Sequence, residues 1–408
     1  MTTVLPYGLD STLELDLEPE ALVAQCDAPR GTALSDPTSA AAAALSEPLD
    51  FPALARSVVP GDRVTIALEP GVPQAASVVA AIMETLTQAG VDPGDVTILR
   101  TQADVQAVPN GSHGPMPGDG ASAPKLLVHN PDDRQQMGYL GITREGRPIY
   151  LNRALGDADV VLPVGCLRLQ SPGQYGVYSG LFPTFSDAKT LQRFQGFEAS
   201  PMRIAQRKAI RQEVNEVGGA LGVRFSIQVV PGPGDQVLRI VAGDTRKVFQ
   251  QARQLCEEAW RYEIPRRASL VVATIPGDAS QQTWANVGRA LASASRAVTE
   301  DGAIAICCDL DSEPGPAVQR LANAEDLRRA VRRIRKEKPR DMLPATQLAK
   351  ALSRSRVYLL SRLDEAVVEE LGVAAVSEAE EIARLASRHE SCILLENAQY
   401  AVPTALDD

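Results

Sequence analysis

The sequence predicts an α/β protein built from two doubly wound domains with a cleft between them and a β-hairpin at the N-terminus. Three observations carry that prediction. Residues 63–68, 75–88 and 96–99 run strand, helix, strand at the spacing of a βαβ crossover, which implies a parallel sheet. The same alternation starts afresh after Ile264-Pro265-Arg266-Arg267, a segment with the composition of a linker. With 408 residues, the chain is long enough for two or three separate cores. The expected division is 1–264 and 265–408, with the C-terminal end packing back on the first domain.

Each element follows from local pattern. Residues 2–7 and 11–17 have strand character and flank Gly8-Leu9-Asp10, a hairpin turn. From 21 to about 51 the chain is rich in Ala, Pro and Asp, so irregular connection plus a short helix is expected. The strand at 63–68 leads through Pro70, Gly71 and Pro73 into a helix whose Val78, Val79, Ile82 and Leu86 share one face, and Gly90 stops it. Residues 103–125 are dominated by Gly, Pro and small polar residues and predict a mobile loop. Strands are expected at 125–129 and 159–164, a helix over 190–217, and a hairpin of 225–230 with 237–242. A long helix over 245–262 closes the first half. In the second half, strands at 270–275, 303–308, 357–360 and 391–396 alternate with helices at 281–298, 324–336, 345–353 and 378–389.

Composition excludes several function classes. There are 51 acidic against 41 basic side chains, a net charge of −10, so no broad surface is available to neutralise nucleic-acid phosphates or an anionic membrane. No apolar run approaches the ~20 residues that span a bilayer, and the N-terminus has no secretory-signal pattern. The six cysteines are scattered without a C-x-x-C pair, which fits reduced, buried thiols in a cytoplasmic protein. Only three histidines are present, His113, His129 and His389, so catalysis by several imidazoles has little to draw on.

Ligands of paired α/β domains sit beyond the carboxyl ends of the strands, between the domains. Glu69 follows the first strand of the first sheet and has two readings, a general base or a carboxylate placed by a helix dipole. Tyr175, Tyr178 and Ser179 lie in a glycine- and tyrosine-rich stretch that either lines a pocket or packs a loop. Trp284 is read as helix core or as a ligand platform. No G-x-G-x-x-G, Walker loop, G-x-S-x-G or H-E-x-x-H is present.

Taken in order, several segments resemble the nickel-dependent lactate racemase family. Val4-Leu5-Pro6-Tyr7-Gly8 is similar to that family's opening hairpin, and 64–73 to its strand leading into Asp-x-Thr-Arg-Pro. His129-Asn130-Pro131-Asp132-Asp133, Leu140-Gly141-Ile142-Thr143 and Gly146-Arg147-Pro148 resemble its next conserved stretch. Tyr178-Ser179-Gly180-Leu181-Phe182-Pro183 resembles its glycine-rich loop, and Ala242-Gly243-Asp244 a further turn. The resemblance implies the family's fold and its chemistry. That chemistry is racemisation of lactate on a nickel pincer nucleotide tethered to a lysine, with one histidine on the metal and two more as the acid–base pair.

The residues depart from that chemistry. Glu69 aligns with the motif's carboxylate, but its arginine falls at Val72 and only Pro73 remains. The tethering lysine falls at or near Ser179, the acid–base histidine near Gln170 and the metal-binding histidine near Gln195. The second domain's Tyr-Gln-x-x-Lys helix resembles the one from Trp284, with Arg289 one place beyond the missing lysine. The expected protein is therefore a lactate-racemase-like chain with no metal ligands and without the nickel nucleotide. It would be a non-catalytic or altered binder of a small polar molecule, a hydroxy acid or something nucleotide-like. The expected cleft comprises Glu69, Pro73, Gln170, Tyr175, Tyr178, Ser179, Gln195, Trp284 and Arg289, with Glu69, Gln170 and Gln195 as catalytic candidates. The alternative is an active 2-hydroxy-acid racemase or epimerase that holds the nucleotide without a tether.

Overall fold

A computed structural model describes residues 2–27, 29–102, 123–169, 176–178, 180–198, 204–339 and 341–406. The chain opens with the expected hairpin, β1 (Thr2–Tyr7) and β2 (Ser11–Asp16), whose Leu5, Leu13 and Leu15 are buried while their neighbours face out. β3 (Leu22–Cys26) and α1 (Pro37–Ser46) follow; the Asp36 carboxylate accepts the Ser39 N–H at 3.0 Å and caps the helix. Next come β4 (Val64–Leu68), α2 (Ala75–Gln88), β5 (Val96–Thr101) and β6 (Lys125–His129). β7 (Met137–Ile142) and β8 (Pro148–Asn152) form a hairpin, followed by α3 (Arg153–Gly156) and β9 (Val160–Cys166). α4 (Ala188–Glu198) and α5 (Ile204–Ala220) precede β10 (Phe225–Pro231), β11 (Val237–Asp244) and α6 (Thr245–Trp260).

The second half contains β12 (Arg261–Ile264), β13 (Ala268–Thr274), α7 (Trp284–Ala297) and β14 (Val298–Cys307). Then come α8 (Pro316–Gln319), α9 (Leu327–Glu337), α10 (Met342–Leu352) and β15 (Arg356–Leu360). α11 (Glu365–Glu370), β16 (Ala374–Val376), α12 (Ala379–Ala386), β17 (Cys392–Leu395) and β18 (Val402–Ala405) complete it.

Two six-stranded sheets result, as expected of the α/β class. The first runs β11-β10-β9-β4-β5-β6 and is parallel except for the β10–β11 hairpin. The second runs β16-β15-β14-β13-β17-β3 and is parallel throughout. β4 is buried at every position, as a strand covered by helices on both faces requires.

Three expectations change. Residues 22–26 are not irregular: they form β3 at the edge of the second sheet, beside β17. The opening hairpin, too, packs its leucines against Leu270, Val272, Ala305 and Leu394 of that sheet. Residues 261–264, expected as the end of the long helix and the start of the linker, form strand β12, paired in parallel with β18. The helix expected over 190–217 is two helices, α4 and α5, with Pro201 between them. The 103–125 loop falls almost wholly outside the described residues.

A single apolar core joins the halves. Leu167, Val230, Cys256 and Trp260 share it with Ile275, Val287, Leu291 and Tyr400. The Trp260 indole N–H donates to the Pro231 carbonyl at 2.9 Å, and its ring meets Tyr400 at 5.3 Å between centroids. Asn397 Oδ1 accepts the Gly234 N–H across the same junction at 2.6 Å. All six cysteines are buried and free of disulfides. Among the described residues no helix is long and apolar enough to cross a membrane.

Candidate functional site

β4 and β9 lie side by side, so the residues that follow them emerge together at the carboxyl edge of the first sheet. Glu69, directly after β4, turns its side chain across β9, where Oε2 accepts the Cys166 N–H at 3.1 Å. Gly165 makes this possible: a Cβ there would lie 2.7 Å from Glu69 Oε2 and 2.7 Å from Gln228 Nε2. Two residues past β9's last position, Arg168 is 5% exposed; its guanidinium donates to the Cys166 carbonyl at 3.4 Å and to the Gly71 carbonyl.

The second half supplies Arg289 from α7. Thr283 caps that helix by accepting the Asn286 N–H at 3.2 Å. Arg289 Nη1 donates to Asn286 Oδ1, and Asn286 Nδ2 donates to the Gln281 carbonyl at 2.8 Å. Gln281 Oε1 also accepts the Tyr400 hydroxyl at 2.9 Å. Gln281, Asn286 and Tyr400 are buried, and Arg289 Nε is a buried donor without a hydrogen-bond partner among the described residues.

The electrostatics tie the two halves together. Burial lifts Glu69 above the usual carboxylate range, opposed by Arg168, the Cys166 N–H and Arg289. Burial, with Arg168 beside it, brings Arg289 down to about 10. Burial pushes the Cys166 thiol up to about 11 and raises the Tyr400 phenol, so both are neutral at pH 7. Two guanidiniums therefore act on one carboxylate in a setting where water screens weakly, which leaves an excess of positive charge.

Of the residues expected to line the cleft, Glu69 and Arg289 influence each other electrostatically. Pro73 is buried in the turn leading to α2. Gln195 is half-buried on α4, a helix that touches α10 of the second half. Tyr178 spends its hydroxyl on the Val223 carbonyl at 3.1 Å and packs its ring on Gly218 of α5. Trp284 donates its indole N–H to the Ser312 carbonyl at 2.8 Å, five residues before Arg289. Gln170, Tyr175 and Ser179 lie outside the described residues, as does His113. Arg168, Gln281, Asn286 and Tyr400 were not expected; the available signal for Arg168 was one arginine inside an otherwise apolar run.

The two described histidines do structural work. His129 is buried, with Nε2 3.0 Å from the Ser186 carbonyl and Nδ1 3.2 Å from Asn152 Nδ2. That pairing requires a neutral ring that donates from Nε2 and accepts at Nδ1. His389 packs near Ser269, and burial together with Arg356 holds its pKa down. Among the described residues no group of three or more His, Cys, Asp or Glu is placed to hold a metal ion. A cavity of about 390 Å³ between Arg30, Arg239 and Glu258 lies elsewhere, over α6 and the β10–β11 hairpin.

Residues 7–193 match the family model for the lactate racemase N-terminal domain. That stretch is similar to the lactate racemase domain. The fold of the chain extends the match over the whole length: the lactate racemase apoprotein of Thermoanaerobacterium thermosaccharolyticum superposes with a TM-score of 0.76 at 15% identity, covering 99% of this chain and 100% of that one. A Thermotoga maritima protein solved by a structural genomics consortium superposes with a TM-score of 0.65 at 12% identity, covering 91% and 99%. No curated protein matches. The side chains of this group are guanidinium, carboxylate, phenol and amide. They offer a metal no imidazole, and they do not fit the family's nickel nucleotide.

Proposed function

We propose that this lactate-racemase-like chain binds a small anion between its two halves, a hydroxy acid or a nucleotide-like molecule, without the tethered nickel nucleotide. The observation that carries the reading is that Arg168 and Arg289 both act electrostatically on buried Glu69, while Arg289 Nε is a buried donor with no hydrogen-bond partner among the described residues. Carboxylate and phosphate are the groups that guanidiniums hold best, through paired N–H donors. Asn286 fixes one end of the Arg289 guanidinium and is itself held by Gln281, which also accepts the Tyr400 hydroxyl. The group holds no imidazole to take a hydroxyl proton while hydride leaves the carbinol carbon, as the family's acid–base pair does, which favours binding over racemisation. The six buried thiols fit a cytoplasmic setting.

Metal analysis and intact mass of protein from its native host, with thermal unfolding against a panel of 2-hydroxy acids and nucleotides, test this reading. The expected result is unmodified protein without nickel, stabilised by several degrees by at least one anion. In Arg289→Gln that shift should disappear while the free protein keeps or gains stability, because a buried like-charged neighbour of Arg168 is gone. Stoichiometric nickel with lactate racemisation would instead establish the untethered racemase.

A further inference from the structure

The acidic chain carries one sharp local reversal of charge. Residues 327–338, which span α9, hold seven basic side chains against one acidic, in a molecule with net charge −10. The apolar side of α9, Leu327, Ala330, Val331 and Ile334, is spent on the core. Its basic side chains all point into solvent. Arg328, Arg332 and Lys336 stand in one i, i+4 row, and Arg328 and Arg329 occupy the N-terminal turn, where the helix dipole disfavours cations. Glu337 pairs with Arg333 and Arg320. Arg335 and Lys336 suit the C-terminal turn, but Arg328, Arg329 and Arg332 gain nothing from the dipole.

A matching surface of opposite sign lies beside it. Residues 364–381 carry seven acidic side chains and no basic one, and all seven are exposed. They run from α11 over the edge strand β16 to α12, joined by the Ser377 hydroxyl bonded to Glu365. The two surfaces meet where the Asn323 N–H, just before α9, donates to the Glu370 carbonyl at 2.6 Å.

We propose that this face binds a second copy of the chain about a twofold axis, with the α9 of each copy on the α11–α12 band of the other. A twofold copy presents both signs in the right places, and each favourable contact is made twice. A nucleic-acid strand laid along α9 would run past its ~16 Å length onto the acidic band. A membrane finds no anchor, because none of the exposed large apolar side chains among the described residues lies on α9, α11 or α12.

The test is sedimentation equilibrium of the full chain at low and high salt, with circular dichroism and thermal unfolding to verify each variant's fold. The wild type should be dimeric at low salt and shift toward monomer as salt screens the contact. Arg328→Glu/Arg332→Glu/Lys336→Glu and Glu369→Lys/Glu370→Lys/Glu380→Lys, which avoid the helix caps, should each weaken the dimer roughly a hundredfold or more. An equimolar mixture of the two variants should associate again, because each then supplies the sign that the other lost. A monomeric wild type, or a dimer indifferent to both reversals, overturns the proposal. So does a monomer that binds a 20-base-pair DNA duplex through α9, which would assign the surface to a polyanion.

Discussion

Arg168 and Arg289 both act electrostatically on Glu69, and this makes the site sensitive to pH. Glu69 is the carboxylate acting on both, and burial holds it above its ordinary range. Below its folded-state titration Glu69 is protonated and the guanidiniums are open to an added anion. As pH rises through that titration Glu69 ionises and takes up the positive charge itself. An anion bound there raises Glu69's pKa further, so binding should draw in protons and weaken as pH rises. Calorimetry of the bound anion in buffers with different ionisation heats, from pH 5 to 8, measures this directly. An enthalpy independent of buffer, or affinity that climbs with pH, would remove Glu69 from the site's chemistry. How much of the site was legible follows from the same residues. Glu69 ends a readable strand, and Arg289 lies on a readable helix. Arg168 is hidden in the apolar run that marks β9, and Tyr400 reaches Gln281 across 119 positions of sequence with no local sign of doing so.

At the scale of elements, the helix that delivers Arg289 is held by close packing on α10. Gly288 is the contact point: a Cβ there would stand 2.8 Å from Pro344 Cα and 3.2 Å from Pro344 Cβ. Alanine should improve helix propensity by up to ~1 kcal/mol, but overpacking costs about 1–3 kcal/mol, and backbone is what it meets. Gly288→Ala is therefore expected to lower stability in urea denaturation; an unchanged or raised midpoint would mean that α10 yields. Helices such as α2 were legible because an apolar period of 3.6 and a glycine stop are local features. β3, β12, β16 and β18 were not: each is short and sits at a sheet edge or in the two-stranded β12–β18 pair. Such a segment becomes a strand through its partner: β3 depends on β17 and β12 on β18, both far along the chain.

For the molecule as a whole, order along the chain differs from membership in the two sheets. Leu5, Leu13, Leu15 and Leu17 from the N-terminus close one face of the second sheet, and β3 covers the free edge of β17. The hairpin tip is clamped: the Gly8 N–H donates to the Ile275 carbonyl at 3.0 Å, and Gly8 accepts the Gly277 N–H at 2.8 Å. Asp309 accepts the Leu9 N–H and pairs with Arg362, fixing the tip over the carboxyl ends of β13 and β14. Each buried leucine contributes roughly 1.5–3 kcal/mol, against about 5–15 kcal/mol for the net stability of a whole domain. A fragment of residues 265–408 should therefore fail to fold alone, exposing Leu270, Val272, Ala305 and Leu394 and an unpaired strand edge prone to association. The same fragment with residues 1–26 joined to it should regain a cooperative transition and dispersed amide resonances. If 265–408 by itself unfolds cooperatively with a midpoint near that of the full chain, the hairpin and β3 are dispensable to the second sheet.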